Sequence, residues 1–303
     1  MSVGLDNLRN IFGDQVQEHA ILAPYTSARI GGPADVLLTV RNCQELKDAV
    51  HSCWEYDLPF ILIGGGSNLL VGDKGIRGVV ILNKAKETEF RLGAEPSVWT
   101  ASGVVISNLA HRCAAQGLSG LEWAATVPGT VGGAVYGNAG AFGGDIAHNL
   151  LRAELLTQNG QEWVTADQMA YDYRSSILKR HQQKDIVLSA EFRLINCEIG
   201  IIKNTIEQFS IRRKKSQPPG ASMGSMFKNP PGDFAGRLIE SAGLKGTRVG
   251  SAEISTIHGN FFINNGETCA KDIKTLILLA QKTVQEKFGI DLELEVEMIG
   301  EWE

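Results

Sequence analysis

The sequence predicts an α+β protein in three parts, and three observations indicate this class. In the first third of the chain, apolar strand-like runs surround a helical stretch, which is typical of a βαβ-type unit. In the middle, strand-like runs alternate with short helical stretches and long glycine loops, which favours antiparallel strands. The last third contains an amphipathic helix followed by an alternating segment. We therefore expect parts at 1–83, 84–199 and 200–303, with the last strand a candidate to return to the first part.

The first part is expected to contain one helix and two buried strands. Residues 42–56 have a helical period. The residues that share a face there are Leu46, Val50, Cys53 and Trp54. The run "LPFILIGGGSNLLV" predicts a strand at Phe60–Ile63 that leads directly into three glycines, and "GVVIL" predicts a buried strand at Gly78–Leu82.

The second part combines strands with an unusual density of glycine. Its strand-like runs are "SVWTASG", "LRAELLT" and "DIVLSAEFRL". The stretch "TVPGTVGGAVYGNAGAFGGDI" holds seven glycines between Gly129 and Gly144. Ordering a glycine costs about 0.5–1 kcal/mol relative to alanine. Either the chain takes positive φ repeatedly in this stretch, or another body lies close against the main chain.

The third part is expected to begin with a helix near residues 201–215, followed by the loop "SQPPGASMGSMFKNPPGDF". We then predict a short helix in "AGRLIESAGL", a strand in "GNFFINNG" and a long amphipathic helix in "AKDIKTLILLAQKTVQEKFG", with Gly289 as its C-cap. The apolar stripe of that helix is Ile273, Leu276, Ile277, Ala280, Val284 and Phe288. The ending "DLELEVEMIG" alternates, which predicts a strand with Glu293, Glu295 and Glu297 on one polar face.

Composition excludes several classes of function. No apolar run approaches the roughly 18 residues of a membrane span, and the first residues lack a signal-peptide pattern, so we expect a cytoplasmic protein without membrane contact. Five scattered cysteines and six dispersed histidines show no metal-ligand spacing, so no metal is expected. A net charge of −5 argues against nucleic acid as a partner. No obligate protein partner is implied.

Two glycine loops point to an extended ligand. The loop "IGGGSNLLV" follows a strand, where exposed N–H groups can bind an anion, but it matches neither the Rossmann nor the P-loop spacing. Alone it could be a tight strand-to-loop connection. Together with the loop at residues 126–146 it favours one long ligand touched by both, and a dinucleotide has the length and the pyrophosphate for this.

The order of several motifs resembles one enzyme family. These motifs are "TSARIGGPADVLL", "IGGGSNLLV", "GLEWAATVPGTVGGAVYGNAGAFGGDI", "YDYRSSILK", "ASMGSMFKNP" and "AGRLIESAGLKGTRVGSAEIS". The chain resembles the UDP-N-acetylenolpyruvoylglucosamine reductase family from about Tyr25 to Gly300, and it is similar to the shorter subtype that lacks a tyrosine-bearing loop insertion. Ala28 and Gly137 stand where larger residues are more usual in the family. The resemblance implies a two-subdomain FAD-binding fold of the vanillyl-alcohol-oxidase type, followed by an α+β substrate-binding domain.

The resemblance also implies a reaction. The family reduces UDP-N-acetylenolpyruvoylglucosamine to UDP-N-acetylmuramate in peptidoglycan precursor synthesis, with NADPH as hydride donor and FAD as mediator. The expected ligands are therefore the UDP-sugar, NADPH and non-covalently bound FAD. No His or Cys occurs between Val127 and Asp145, which disfavours a covalent flavin link through this loop. The alternatives are another FAD-dependent oxidase or dehydrogenase of the same fold and a non-enzymatic nucleotide-binding module.

Three residues match the catalytic positions of the family. The resemblance makes Ser225 the proton donor, Arg174 the partner of the substrate carboxylate and Glu295 a third catalytic residue. The residues expected to bind FAD are Gly64, Gly65, Gly66, Ser67, Asn68, Pro128, Gly129, Thr130, Gly132, Gly133 and Gly140. The residues expected to bind the substrate are Tyr173, Asn229, Asn260 and, from the basic stretch "RRKK", Lys215.

Overall fold

A computed structural model describes residues 2–180 and 185–302 of the chain. This part of the chain forms two compact units. The first unit contains the residues up to Val16 together with Leu38–Gly65 and Ile81–Arg213. The second contains Gln17–Leu37, Gly66–Val80 and the residues from Lys214 onward. The three-part division at residues 83 and 199 stays a prediction.

Helices and strands are mixed along the described chain. The helices are α1 (Ser2–Phe12), α2 (Cys43–Glu55), α3 (Ile106–Ala115), α4 (Val131–Gly137), α5 (Ile146–Asn149), α6 (Ile177–Arg180), α7 (Ile199–Ser216), α8 (Ala235–Ser241) and α9 (Ala270–Phe288). Short 3₁₀ helices occupy Gly13–Gln15, Ala23–Tyr25 and Glu122–Thr126.

The strands are short except in the two larger sheets. They are β1 (Val16–Glu18), β2 (Ala34–Val40), β3 (Phe60–Ile63), β4 (Leu69–Val71), β5 (Ile76–Asn83), β6 (Thr88–Arg91), β7 (Ser97–Ala101), β8 (Leu118–Ser119), β9 (Gly140–Ala141), β10 (Gly144–Asp145), β11 (Leu150–Thr157), β12 (Gly160–Thr165), β13 (Ile186–Arg193), β14 (Ile195–Asn196), β15 (Arg248–Val249), β16 (Ala252–Ile254), β17 (Phe262–Asn264) and β18 (Glu297–Ile299). The strands predicted at Phe60–Ile63 and Gly78–Leu82 are confirmed.

The predicted antiparallel region is confirmed in the first unit. Its five-stranded sheet has the order β12-β11-β13-β7-β6, and every adjacent pair is antiparallel. The central strand β13 is contacted by both α2 and α4 and is buried along nearly its whole length. This burial explains why most of its residues are apolar, and its two buried polar residues, Ser189 and Glu191, are hydrogen bonded to Glu154 and Ser97.

A four-stranded sheet has the order β1-β2-β5-β3, and α2 lies between β2 and β3 in the chain. Strands β2 and β5 each pass from one unit into the other. Helix α2 begins where predicted because Asn42 caps it: the side-chain oxygen of Asn42 accepts the N–H of Glu45 at 2.8 Å. The predicted face of the helix is buried at Leu46, Val50 and Cys53.

The second unit packs α8 and α9 with the small sheet β15-β16-β17 around one core. Gly289 ends α9 with φ +68°, as its C-cap position predicted. The predicted stripe of α9 is buried from Ile273 to Val284, whereas Phe288 is 39% exposed and lies outside the core. Phe288 is the last residue of the helix, so its ring extends beyond the packed turns.

The predicted strand at the end of the chain is wrong in its length. Only Glu297–Ile299 forms a strand, and it pairs in parallel with β4, a segment assigned to the first part by sequence. Before it the chain pairs irregularly with another segment: the N–H of Glu295 donates to the carbonyl of Met226, and the N–H of Lys228 donates to the carbonyl of Glu293. The three glutamates therefore do not share one regular strand face.

No helix in the described part of the chain combines the length and the apolar composition needed to cross a membrane. Within those same residues, no group of three or more His, Cys, Asp or Glu side chains is placed to hold a metal ion.

Candidate active site

The two glycine loops touch each other inside the first unit. A Cβ atom added at Gly64 would lie 2.2 Å from Oγ1 of Thr130, and one added at Gly65 would lie 2.8 Å from Cα of Gly129. Neither position can carry a side chain without moving the opposite loop. The sequence led us to expect that both loops touch one ligand. The structure shows that the two loops lie directly against each other.

Most of the seven glycines in the second loop do not need positive φ. Only Gly129 (φ +105°) and Gly143 (φ +88°) take it. Three others are required by packing against the protein. A Cβ atom at Gly132 would lie 2.9 Å from Cβ of Ser102, one at Gly144 would meet Trp123, and one at Gly140 would meet Asp145.

Gly133 and Gly137 have a different reason. Both lie in α4, four residues apart, so they share a helix face. A Cβ atom at Gly133 would have only Oγ1 of Thr130 near it, at 3.8 Å, and one at Gly137 would have no neighbour within 4 Å. Neither positive φ nor protein packing explains glycine at these two positions, which fits a flat external body lying against this face.

Unpartnered polar atoms near the loops also fit FAD. Oγ1 of Thr126 is buried and has no hydrogen-bond partner among the described residues. In the first loop, the N–H groups of Gly65, Gly66 and Ser67 donate no backbone hydrogen bond to the described chain. Such groups are suited to the phosphates and ring edges of a dinucleotide. By contrast, the N–H of Gly132 is already bonded to the carbonyl of Ser102 at 2.8 Å.

Among the other residues predicted to bind FAD, one is exposed to solvent and two contact other parts of the protein. Pro128 is exposed, whereas Gly66 is held at φ +57° against the carbonyl of Tyr25. Nδ2 of Asn68 donates to the carbonyl oxygen of Glu295 at 3.0 Å. Asn68 therefore supports the Glu295 backbone within the second unit.

Arg174 stands at the tip of a tight hairpin in the first unit. Asp172 and Ser175 exchange two backbone hydrogen bonds of 3.1 Å, which leaves Tyr173 and Arg174 as the two loop residues; we name Asp172–Ser175 the arginine hairpin. Arg174 has φ +54°, which a non-glycine residue adopts rarely. Its guanidinium lies 5.7 Å from the ring centre of Tyr173, which is 50% exposed. Such strain is frequent at functional positions.

Ser225 belongs to the second unit and is fixed by its neighbours. Gly224 before it has φ +78°, and the segment then pairs with the chain at Asn260 and Phe261. The N–H of Met226 donates to the carbonyl of Asn260 at 2.8 Å. The side-chain amide of Asn260 also bonds Phe227 in both directions, at 2.9 Å and 2.7 Å. Asn260 was expected to bind substrate, but its amide is already used to hold the Ser225 segment.

Glu295 lies beside this segment. The carbonyl of Met226, the residue after Ser225, accepts the N–H of Glu295 at 3.0 Å. Two residues later the N–H of Glu297 turns to the carbonyl of Asn68. The chain therefore pairs with Met226 at Glu295 and with Asn68 two residues later. The backbone of Glu295 is hydrogen bonded at both its N–H and its carbonyl oxygen.

A cavity of about 400 Å³ opens next to Ser225 in the second unit. Its lining residues are Ser225, Asn229, Phe234, Gly236, Arg237, Glu240, Ile257, His258, Gly259 and Asn260. Burial and the nearby charge of Lys245 lower the pKa of His258, so this imidazole is neutral at pH 7. Of the expected substrate ligands, Asn229 and Asn260 line the cavity, while Lys215 is exposed in the last turn of α7.

Sequence reasoning missed Thr126, His258 and Asn138. Thr126 and His258 lie within or beside quoted motifs, but nothing in a sequence separates a buried orphan hydroxyl from a satisfied one. Asn138 takes the left-handed conformation (φ +46°) and ends α4. An asparagine inside "YGNAG" could have suggested this, because asparagine tolerates that conformation.

The chain is similar to known proteins over nearly its whole length. A family model described as the FAD binding domain matches residues 34–166, and one described as the UDP-N-acetylenolpyruvoylglucosamine reductase C-terminal domain matches residues 215–299. A UDP-N-acetylenolpyruvoylglucosamine reductase of Chloroflexus aggregans is 44% identical, and the alignment covers 92% of this chain and 95% of that one. The chain belongs to the UDP-N-acetylenolpyruvoylglucosamine reductase family. The relative in Bacillus subtilis is 43% identical, with 92% of each chain covered.

Solved structures agree with this membership. The crystal structure of the family member from Thermus caldophilus has a TM-score of 0.78 at 36% identity and covers 92% of this chain and 97% of that one. An alkyldihydroxyacetonephosphate synthase, at 16% identity and a TM-score of 0.50, covers 65% of this chain and 41% of that one and shares the fold alone. The predicted α+β FAD-binding fold of the vanillyl-alcohol-oxidase type is thereby confirmed. The chain is a flavin-dependent oxidoreductase of this reductase family.

Proposed function

We propose that this protein reduces UDP-N-acetylenolpyruvoylglucosamine to UDP-N-acetylmuramate with NADPH, as a step in peptidoglycan precursor synthesis. Family membership supports the reaction class. One observation carries the chemistry: Ser225 is fixed at the wall of a cavity, and the residue after it is hydrogen bonded to Glu295. A nucleotide-binding module would have no use for this arrangement.

FAD, when bound, supplies the passage of hydride from NADPH to the terminal carbon of the enolpyruvyl group. The residues that would hold it are in the two glycine loops and on the Gly133–Gly137 face of α4, with the hydroxyl of Thr126 as an additional polar contact. No cysteine or histidine lies in the second loop to form a covalent flavin link there, which supports the proposed non-covalent association.

Ser225 is the proposed proton donor. Adding hydride to the terminal carbon leaves a negative charge on the neighbouring carbon and its carboxylate, and the product needs a proton at that neighbouring carbon. A serine hydroxyl is a weak acid in water, so it must be held at the reacting carbon. The paired backbone around Ser225 supplies that fixed placement.

Arg174 and Glu295 complete the proposed catalytic set. A guanidinium can bind a carboxylate through two hydrogen bonds, so Arg174 suits the enolpyruvyl carboxylate as charge grows on it. Glu295 holds or relays a proton next to Ser225. Tyr173, Asn229 and Lys215 are the proposed contacts of the UDP part.

The first experiment follows NADPH absorbance with FAD-loaded protein. We expect steady consumption with the enolpyruvyl sugar nucleotide and almost none without it. Oxygen-dependent turnover of alcohols without that nucleotide would instead support an oxidase of the same fold. Protein that takes up no FAD would contradict both enzymatic proposals.

The nature of the FAD association has its own test. Acid precipitation should release all flavin into the supernatant, because neither thiol nor imidazole is present in the second loop for a covalent link. Flavin that stays on the denatured protein would contradict this.

A further inference from the structure

Helix α4 and the arginine hairpin are joined through the residues that flank the hairpin. The hydroxyl of Tyr171 donates to the carbonyl oxygen of Val135 at 3.0 Å. The hydroxyl of Ser176 donates to the carbonyl oxygen of Tyr136 at 2.6 Å. Burial raises the pKa of Tyr171, so its phenol keeps the proton that it donates. Both bonds are accepted by carbonyls in the last turn of α4, the part of a helix where carbonyls need partners from outside its own hydrogen-bond ladder.

Asn138 makes the reciprocal connection. It is 6% exposed, and its Nδ2 donates to the carbonyl oxygen of Asp172 at 3.0 Å. Its Oδ1 accepts the N–H of Ala147 at 3.1 Å. One side chain therefore ties the first residue of the arginine hairpin to the end of α4 and to the start of α5.

The left-handed backbone of Asn138 makes this connection possible. With φ +46° and ψ +58° the residue ends α4 and redirects its side chain toward the hairpin. Glycine tolerates the same backbone, but it has no amide to donate. The surrounding stretch is rich in glycine, and glycine would fit the backbone at position 138. The two side-chain hydrogen bonds are therefore what asparagine adds at this position.

We propose that Asn138 is a positioning residue that fixes Arg174 relative to the Gly133–Gly137 face of α4. The proposal rests on the proposed function, in which that face holds the cofactor and Arg174 binds the substrate carboxylate. A hairpin with two loop residues has little stiffness of its own, so its tip is placed by the contacts at its base. Because Asn138 acts at that base, its loss should displace the guanidinium without removing it.

The test substitutes Asn138→Gly, which keeps the left-handed backbone and removes both side-chain bonds. Displacing a catalytic group by about 1 Å can cost on the order of 10²-fold in rate. We therefore expect the step that consumes the sugar nucleotide to slow by about 10–100-fold, with a raised KM for that nucleotide. The rate of flavin reduction by NADPH should change less than about twofold, since the proposed role of Arg174 is to bind the carboxylate of the sugar nucleotide.

Asp57→Gly is the matched control. Asp57 is exposed, follows α2 and has φ +49°, so this variant also places glycine at a left-handed position after a helix of the first unit. The N–H of Asp57 donates to the carbonyl of Trp54 in α2, so the substitution changes a different helix end, and the kinetics of this variant should equal those of the parent. Flavin content and melting temperature of both variants show whether the fold is retained.

A double-mutant cycle decides whether Asn138 acts through Arg174. In an Arg174→Ala background, Asn138→Gly should cause almost no additional slowing, because there is no guanidinium left to place. Additive effects of the two substitutions would overturn the proposal, as would normal kinetics for Asn138→Gly when Arg174→Ala is slow. If Arg174→Ala itself leaves the sugar-nucleotide step unchanged, the proposed role of Arg174 fails, and the positioning role fails with it.

Discussion

The proposed proton transfer from Ser225 depends on a fixed position of its hydroxyl group. Gly224 sets the turn, and the amide of Asn260 closes the segment by bonding both polar groups of the Phe227 backbone. Asn260 is buried, so these bonds compete with little water. The side chain of Asn260 therefore supports the segment of the proposed proton donor, and its contact with the substrate stays a prediction.

Replacing Ser225 should separate the two halves of the reaction. The proton is needed only after hydride has reached the substrate, so Ser225→Ala should leave flavin bleaching by NADPH almost unchanged. Recovery of the flavin absorbance with the sugar nucleotide should slow by about 10²–10⁴-fold, the usual range for general acid catalysis. Ser225→Cys should retain more activity than the alanine variant, because a thiol can still donate. Stopped-flow absorbance measures both phases.

The control for this experiment is Ser222→Ala, in the same loop but outside the set of residues that line the cavity. It should behave as the parent protein does. Equal slowing of both phases in Ser225→Ala would mean that the hydroxyl positions ligands and is not the proton donor.

Glu295 can be distinguished from its acidic neighbours. Glu293 has a 72% exposed side chain that pairs with Lys228 at the surface, and Glu297 lies in β18. The backbone of Glu295 is bonded to Met226, the residue next to Ser225, whereas the backbone of Glu293 is bonded to Lys228, three residues from Ser225. Glu295→Gln should lower turnover by about 10²-fold or more, as loss of an acid–base group does. Glu293→Gln and Glu297→Gln should stay near parental activity, and similar rates for all three variants would refute the assignment.

At the scale of elements, α4 combines two uses of glycine. Gly132 is required by the protein, because a Cβ atom there would lie 2.9 Å from Cβ of Ser102. Gly133, the next residue, has room for one. Adjacent glycines of the same helix should therefore respond to alanine in opposite ways.

Gly133→Ala should stabilise the flavin-free protein slightly, by up to about 1 kcal/mol, since alanine favours a helix over glycine. The same methyl group should lower flavin occupancy if FAD lies on this face. Gly132→Ala should lower the melting temperature of the flavin-free protein, because overpacking costs about 1–3 kcal/mol. The flavin-to-protein absorbance ratio and the melting curve of apoprotein give both quantities. Full flavin occupancy in Gly133→Ala would place the cofactor elsewhere.

The elements that sequence predicted well are those defined by local rules. Helix α2 has an apolar period that begins at residue 42, where Asn42 caps it, and helix α9 has an apolar period followed by the predicted cap Gly289. The last strand failed because its register depends on distant segments: residues 226–228 for Glu295 and Asn68 for Glu297. No alternation pattern can encode such a change of partner.

The candidate site shows the same division. Ser225, Arg174 and Glu295 were expected from short motifs that carry the family resemblance. The supports of these residues were not, because each joins parts of the chain that are far apart in sequence: Asn260 lies 33 residues from Phe227 and Asn138 lies 34 residues from Asp172. A short motif can identify a candidate reacting side chain. The position of that side chain depends on tertiary contacts that the motif does not contain.

At the scale of the whole molecule, the second unit is not one continuous stretch. Its core contains Ala28, Ile30 and Leu70 together with residues of α8 and α9. The carboxylate of Asp73 accepts the N–H groups of Ala270 and Lys271 at the start of α9. The core around α8 and α9 is therefore completed by residues from before position 214, and the start of α9 is capped by Asp73.

This organisation predicts that a fragment of residues 214–302 will not fold alone. It would lose Leu70, which is fully buried in the intact core, and β18 would lose its parallel partner β4. Isolated helices are marginal in water, so α9 would gain little from its own sequence. We expect weak helical circular dichroism and no cooperative thermal transition from the fragment. In the full chain, Leu70→Ala should cost about 2–5 kcal/mol, the range for emptying a buried leucine site, while the exposed Leu278→Ala should cost far less. A fragment that melts cooperatively would show that the distant segments are dispensable.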